Sequence, residues 1–271
     1  MPSVPERLFT AFVQACAVVV AAVPLAAAGT LSWIGVSHAL ASRSLPGLDG
    51  FAATVAFTVV AAAAAAFIGG SLGIGCALAA EELAPSAIRG AIEAAVAFLG
   101  AVPAVAFGWF AVVCVAPLAA AQPLGSATQF AAAAVVLAAM VVPTTCALVT
   151  RALRRVPDAV RHAAASAGAS RLQTTALVIL PALRRQIGAA VLAAFARAVG
   201  EATALQILFG ALAAYGIVPA ATTASWIFAT ATAAPTADTA AALSFAGLAL
   251  LIIGSGCGFI VAREYRGAQW A

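Results

Sequence analysis

The most informative absence in this sequence is that of lysine, because all 13 basic residues are arginine. A phosphate-binding loop of the GxxxxGK[ST] type needs a lysine, so the chain has no such ATP site. Charged residues make up only 8% of the chain, whereas soluble proteins carry about a quarter. The two histidines and few carboxylates form no catalytic cluster, and the five cysteines have no metal-ligand spacing. The sequence therefore predicts neither an enzyme nor a bound cofactor or metal, and nothing in it indicates nucleic-acid binding.

In place of charge, the sequence has long apolar stretches. The 271 residues are 65% hydrophobic, with a mean hydropathy of +1.10, and a membrane-spanning helix needs about 20 apolar residues. The first stretch follows Arg7 like a signal peptide, but its length favours a retained span. We predict an all-α membrane protein with one domain over residues 1–271 and six spans, at about 9–37, 51–79, 92–116, 128–150, 186–213 and 240–262.

The arginines indicate the orientation of these spans. Cytoplasmic loops of membrane proteins collect arginine, and an even number of spans places both termini on one side. Eleven of the 13 arginines then share that side, and seven of them lie in the loop at about 151–185. We predict that this loop and both termini are cytoplasmic. Gly69-x-x-x-Gly73 and Gly254-x-x-x-Gly258 are candidate helix-contact faces.

The basic loop carries signals for two short helices. Pro157 and Asp158 are typical of a helix start, Gly168 of a break, and Ser170 of the cap of a second helix. Pro181 ends or kinks that second helix. Two interpretations are open: a rigid element that a partner protein moves, or a loop whose charge only sets the topology.

The same loop resembles the coupling motif of bacterial ABC importer permeases, which is written EAA, three residues, Gly, nine residues, Ile-x-Leu-Pro. The first residue departs from that motif, because a histidine stands where the family has glutamate. The resemblance implies the type I ABC importer permease fold with a cytoplasmic coupling helix, which docks on a dimer of ATP-binding subunits that bind ATP and Mg²⁺. The residues that carry this coupling role are His162, Ala163, Ala164, Gly168, Leu180 and Pro181.

Two charged residues lie within the predicted fifth span. Arg197 is about 16 Å from the start of that span at 1.5 Å per residue, near the middle of the membrane, where an isolated arginine is costly. Glu201 is four residues further on, so in a continuous helix the two share a face and can pair. Such a pair either holds the helix bundle together or lines a polar path, where the arginine offers a fork of donors to an oxyanion.

The segment Arg197–Glu201 resembles the RA-x-GE segment of phosphate-specific ABC permeases of the PstC and PstA type. The segments 82–85 and 100–108 also resemble that family, but Ala104, Phe107 and Ala202 lack the hydroxyl groups that the family commonly has there. The resemblance implies a substrate path that includes Arg197, Glu201 and Thr203.

The resemblance also implies partners and a location. The partners are a second homologous permease, an external phosphate-binding protein and membrane lipid, and the location is the cytoplasmic (inner) membrane of a bacterium. The expected function is translocation of inorganic phosphate, driven by the ATPase partner. Two alternatives stay open: a permease for molybdate, tungstate or sulfate, and a membrane scaffold or sensor that transports nothing. Region 219–247 favours the PstC side without deciding it.

Overall fold

A computed structural model describes residues 48–115, 125–214, 221–232 and 237–267 of the chain. A few isolated positions are described as well, at residues 18, 22, 26, 29, 30, 33, 37 and 117. The predicted first span, 9–37, therefore lies outside the described residues except for seven single positions. Within the described ranges the secondary structure is entirely helical.

The helices have the following bounds: α1 Leu48–Leu78, α2 Ser86–Ala101, α3 Ala104–Phe110, α4 Gly125–Leu153, α5 Asp158–Ser166, α6 Arg171–Ala182, α7 Arg184–Val199, α8 Thr203–Ala214, α9 Thr223–Thr232 and α10 Ala237–Gly267. Wider π-helical turns follow α1 at Ala79–Leu83 and α3 at Ala111–Val115, and a third, Thr175–Ile179, lies inside α6.

Three of these helices are long and apolar enough to cross a membrane. Their spanning parts are Ala53–Leu83, Gln129–Leu153 and Phe245–Tyr265. Two pairs are bent, α2 and α3 by 96° and α6 and α7 by 74°, and counting each pair as one span gives up to five. The described residues are thus consistent with an all-α membrane protein, and the count of six spans stays a prediction.

Two predicted spans are interrupted by breaks. The segment 92–116 bends between Ala101 and Ala104, where Pro103 supplies no N–H to continue the ladder. The segment 186–213 is divided into α7 and α8 by non-helical residues 200–202. Broken helices expose backbone polar groups, which are tolerated at membrane depth only where protein covers them or where they line a polar cavity.

The centre of the bundle is a close contact between α1 and α4, built from small residues. Ala61, Ala62 and Ala65 are fully buried in this core. A Cβ added at Gly69 would overlap the backbone of Ala138, and one at Gly73 would lie 2.7 Å from the carbonyl oxygen of Val142. The first predicted glycine face is therefore a helix contact. By contrast, a Cβ at Gly254 or Gly258 would meet no described atom within 4 Å.

Tyr265 ties three helices together near the end of α10. Its hydroxyl group lies 3.1 Å from the carbonyl oxygen of Leu148 in α4 and 3.2 Å from that of Gln186 in α7, so it can donate to either. The Tyr265 carbonyl oxygen accepts a hydrogen bond of 3.0 Å from Arg155. These contacts fix the end of α10 beside the start of α7.

We expect Tyr265→Phe to lower the stability of the folded chain by about 1 kcal/mol, because the phenyl ring keeps its packing and only the hydrogen bond is lost. For a chain of this size that corresponds to a fall in Tm of about 2–4 °C, measurable by thermal unfolding in detergent. Ser255→Ala is the control, since the Ser255 hydroxyl group bonds only to carbonyl oxygens of its own helix. An equal fall in Tm for both variants would contradict the bridging role.

Candidate functional site

The basic loop after α4 includes a short surface helix, α5. α5 begins at Asp158, directly after Pro157, and contains no buried residue. It ends at Ser166, and Gly168 then adopts φ +84°, a conformation that glycine takes without strain. Ser170 starts α6 with a capping box, in which its hydroxyl oxygen accepts from the Gln173 N–H and the Gln173 side chain accepts from the Ser170 N–H.

The chain bends at Leu183, two residues beyond Pro181, where the sequence predicts that the helix ends or kinks. Pro181 occupies the last turn of α6, and the chain turns by 74° only at Leu183, between α6 and α7. The proline cannot donate a backbone hydrogen bond, and the wider π-helical turn Thr175–Ile179 directly precedes it. Pro181 is exposed, whereas Ile179 and Leu183 are buried against the bundle.

The residues of the predicted coupling motif lie in α5, in the turn that follows it and in α6, some exposed and some half-buried. His162 and Ala163 are exposed on α5, and Ala164 is half-buried. Gly168 forms the turn, and Leu180 is half-buried near the bend. His162 and Ala163 are thus open to a partner, whereas Gly168 and Leu180 shape the element that presents them.

Arg161 fixes α5 to the bundle, and sequence reasoning missed its role. Its guanidinium donates two hydrogen bonds to the Glu82 carboxylate, of 2.7 and 3.3 Å. It also donates to the carbonyl oxygens of Val156, at 2.8 Å, and Leu153, at 3.2 Å, at the end of α4. The hydrogen bond to Glu82 raises the pKa of Arg161 further above its usual value, so the guanidinium stays charged. One side chain thus joins α5 to the ends of α1 and α4.

We expect Arg161→Gln to loosen α5 without unfolding the membrane helices. A hydrogen bond to a charged group is worth about 1.5–3 kcal/mol, and about 1.4 kcal/mol corresponds to a tenfold change in an opening equilibrium. Hydrogen exchange of the α5 backbone amides should therefore speed up about tenfold or more. Arg171→Gln is the control, because Arg171 is exposed and forms no ion pair with any described residue. Unchanged exchange in Arg161→Gln would contradict the anchoring role.

Arg197 lies in the last turn of α7 and opens onto a groove. The groove has a volume of about 470 Å³ and runs between α2 and α4, past Pro143 and Thr144, to Glu93 and Arg154. Its volume falls within the range of small-molecule sites, about 300–1,000 Å³. Arg197 is exposed, and among the described residues it has no ion-pair partner. The guanidinium is therefore available to an anion.

Glu201 is not on the same helix as Arg197, contrary to the prediction. α7 ends at Val199, and Gly200 closes it with a backbone bond to the Ala196 carbonyl oxygen. The Glu201 carboxylate instead accepts a hydrogen bond of 3.1 Å from the Ala204 N–H and so caps the start of α8. An acidic side chain is favourable at the positive end of a helix. The four-residue spacing did not produce the ion pair because the helix breaks between the two residues.

The two broken segments pack against each other beside this break. α3 contacts α8, and a Cβ at Gly108 would lie 2.8 Å from the Ile207 side chain. Phe107 is buried in the same contact region. Thr203, the third predicted path residue, is half-buried at the first position of α8. The structure thus places Arg197 before the break, Glu201 within it and Thr203 directly after it.

Comparison with known proteins supports the family resemblance. No protein-family profile matches the chain. The chain is 30% identical over 146 residues to the probable ABC transporter permease protein YqgH of Bacillus subtilis, a match that covers 54% of this chain and 47% of that protein. It is 29% identical over 173 residues to the phosphate transport system permease protein PstC of Mesorhizobium japonicum, covering 56% and 53%.

The chain resembles ABC importer permeases of the phosphate type. That prediction from the sequence is confirmed as a resemblance by the two relatives. The chain spans about half the length of the curated relatives it matches. The two names agree on a permease, and only the second names phosphate.

Proposed function

We propose that this chain is a transmembrane permease subunit of an ABC importer and that it translocates inorganic phosphate across the cytoplasmic membrane of a bacterium. The observation that carries the proposal is Arg197, which lies exposed beside a helix break and opens onto the groove between α2 and α4. A guanidinium held in a site of low polarity binds a tetrahedral oxyanion through its fork of N–H donors. Placing an arginine inside the membrane costs free energy, and binding of a passing anion explains why one is present.

The driving force in this proposal comes from a separate dimer of ATP-binding subunits, since the chain has no lysine for a nucleotide-binding loop. The exposed surface of α5, with His162 and Ala163, is the contact. Because Arg161 joins α5 to α1 and α4, a push on α5 reaches the walls of the bundle as well as α7. ATP closure of the partner then switches the groove between its inward and outward openings.

The other proposed partners are inferred from exposed apolar surface and from the short external connections between the predicted spans. Large apolar side chains such as Phe67, Phe98 and Trp109 are at least 66% exposed and need lipid or a second permease to cover them. A second, homologous permease completes the path. An external phosphate-binding protein delivers the anion, and both termini of this chain lie in the cytoplasm.

Three residues favour an oxyanion other than phosphate as the cargo. Ala104, Phe107 and Ala202 supply no hydroxyl donors where the phosphate-type permeases commonly have them. A site with an arginine and fewer hydroxyl groups also suits molybdate, tungstate or sulfate. A scaffold or sensor without transport activity is the remaining alternative, and it differs in requiring no ATPase on α5.

Purification of the intact complex in mild detergent, combined with uptake in cells, tests the proposal. We expect a stoichiometric ATPase and a second permease to co-purify with the chain. We expect uptake of labelled phosphate that excess unlabelled phosphate suppresses and that excess molybdate, tungstate or sulfate leaves unchanged. Suppression by one of those anions alone would reassign the cargo, and a chain that purifies without any ATPase would favour the scaffold.

A further inference from the structure

The cytoplasmic end of the Arg197 groove is crossed by an ion pair. Glu93 lies on α2, Arg154 directly follows α4, and these two helices form the walls of the groove. Arg154 Nη2 lies 3.2 Å from Glu93 Oε1. The two side chains are 59% and 49% exposed, and exposed ion pairs of this kind contribute little to stability. The connection between the walls can therefore be broken by a modest movement.

A second carboxylate shares the same arginine and joins it to the coupling helix. Arg154 Nη2 lies 2.7 Å from Glu81 Oε1, and Glu81 belongs to the π-helical turn that follows α1. The next residue in that turn, Glu82, holds Arg161 of α5 at 2.7 Å. Two adjacent glutamates of one turn thus form ion pairs with Arg154 at the end of the groove and with Arg161 of α5, the helix proposed to contact the ATPase.

Charges of both signs meet at this end of the groove. Glu81 and Glu93 share Arg154, and Arg89 donates a hydrogen bond of 3.2 Å to the Glu81 carbonyl oxygen. Hydrogen bonding and attraction from Glu81 raise the pKa of Arg154 above its usual value, so it stays charged while paired. An oxyanion that leaves the groove at this end therefore meets a charged pair that connects the two walls.

We propose that the Glu93–Arg154 ion pair is the cytoplasmic gate of the Arg197 groove and that the Glu81–Glu82 turn opens it when α5 moves. This inference rests on the proposed function for the identity of α5 as the contact of the ATPase. The gate itself rests on the observed crossing of the two walls. Arg154 and Glu93 act as positioning residues: they set when the groove opens, and Arg197 contacts the cargo.

The native Cys146 provides a probe inside the groove that does not depend on cargo. It lines the groove on α4, eight residues before Arg154, or about 12 Å at 1.5 Å per residue. The probe protein keeps Cys146 and replaces the other four cysteines, Cys16, Cys76, Cys114 and Cys257, with alanine. Within the intact complex in inside-out vesicles, Cys146 is reacted with the membrane-impermeant sulfonatoethyl methanethiosulfonate, and the labelling rate is measured.

We expect Glu93→Gln and Arg154→Gln each to raise the labelling rate several-fold, because each removes the ion pair. Glu93→Gln keeps the side-chain size, whereas Arg154→Gln shortens the side chain and also removes the contact with Glu81. Glu264→Gln, on the last helix and outside the groove, should leave the rate unchanged. Arg161→Gln should raise it as well, through the turn that holds Glu81 and Glu82. Size-exclusion elution of each variant complex establishes that it is assembled.

Labelling at the original rate in both Glu93→Gln and Arg154→Gln would overturn the gate. A raised rate in those two variants with no change in Arg161→Gln would overturn the link to α5. The readout needs no phosphate, so a complex that fails to import phosphate would refute the proposed cargo while the labelling rates still decide the gate.

Discussion

Replacing Arg197 with glutamine is expected to abolish phosphate uptake in cells that depend on this chain. Losing charge-assisted hydrogen bonds to the oxyanion costs about 1.5–3 kcal/mol, and about 3 kcal/mol corresponds to a hundredfold loss of affinity. The structure offers no substitute, because no other arginine or lysine of the described residues lines the groove except Arg154 at its far end. Initial rates of labelled phosphate uptake, corrected for the amount of inserted protein, measure the effect.

Two further variants separate a specific contact from a charge effect. Arg197→Lys keeps the charge but loses the planar fork of donors, so we expect intermediate uptake. Arg263→Gln removes one exposed arginine from the last helix, away from the groove, and should leave uptake unchanged. Full uptake by well-inserted Arg197→Gln protein would remove Arg197 from the path and leave it a structural role.

The second large effect is expected at Gly73, where leucine should prevent folding of the bundle. A Cβ there would already lie 2.7 Å from the Val142 carbonyl oxygen and 2.8 Å from Thr145 Cβ. Overpacking in a core costs typically about 1–3 kcal/mol, and here the obstruction is backbone, which cannot rotate away. Small residues at such an interface let two helices approach closely. We expect the yield of monodisperse protein in detergent to fall several-fold.

Gly75 is the matched control for this prediction. It lies two residues further along the same helix, and a Cβ there meets no described atom within 4 Å. Gly75→Leu should therefore purify at the same yield as the original chain. Equal losses for both variants would show that leucine disturbs insertion at either position and would contradict the importance of the close α1–α4 contact.

The features that local chemistry determines could be predicted from the sequence. The basic loop after α4 is the clearest case, since Pro157 precedes its first helix, Gly168 takes the left-handed turn, and Ser170 caps the second. Each of these signals acts within about four residues, so no tertiary information is needed. The glycines at 69 and 73 could be predicted as a contact face for the same reason, although their partner helix could not.

The Arg161–Glu82 contact was missed, and the pairing of Arg197 with Glu201 was wrong. Arg161 and Glu82 are 79 positions apart, and only the folded bundle brings them within 2.7 Å. The spacing of Arg197 and Glu201 suggested a pair on one helix, but the break after Val199 gives the Glu201 carboxylate a nearer donor, the Ala204 N–H. Packing of the bundle brings Arg161 to Glu82, and a competing hydrogen bond takes the Glu201 carboxylate. The residue spacing on which the predictions rested reports neither effect.

In the proposed function, this chain forms the path for an oxyanion that a partner ATPase drives. Reconstitution of the purified complex in liposomes with the external binding protein tests this role, with accumulation of labelled phosphate measured on addition of ATP. We expect accumulation against the gradient with the original chain and none with Arg197→Gln, at similar amounts of assembled complex. If the assembled complex hydrolyses ATP but accumulates neither phosphate nor molybdate, tungstate or sulfate, the proposed role is wrong.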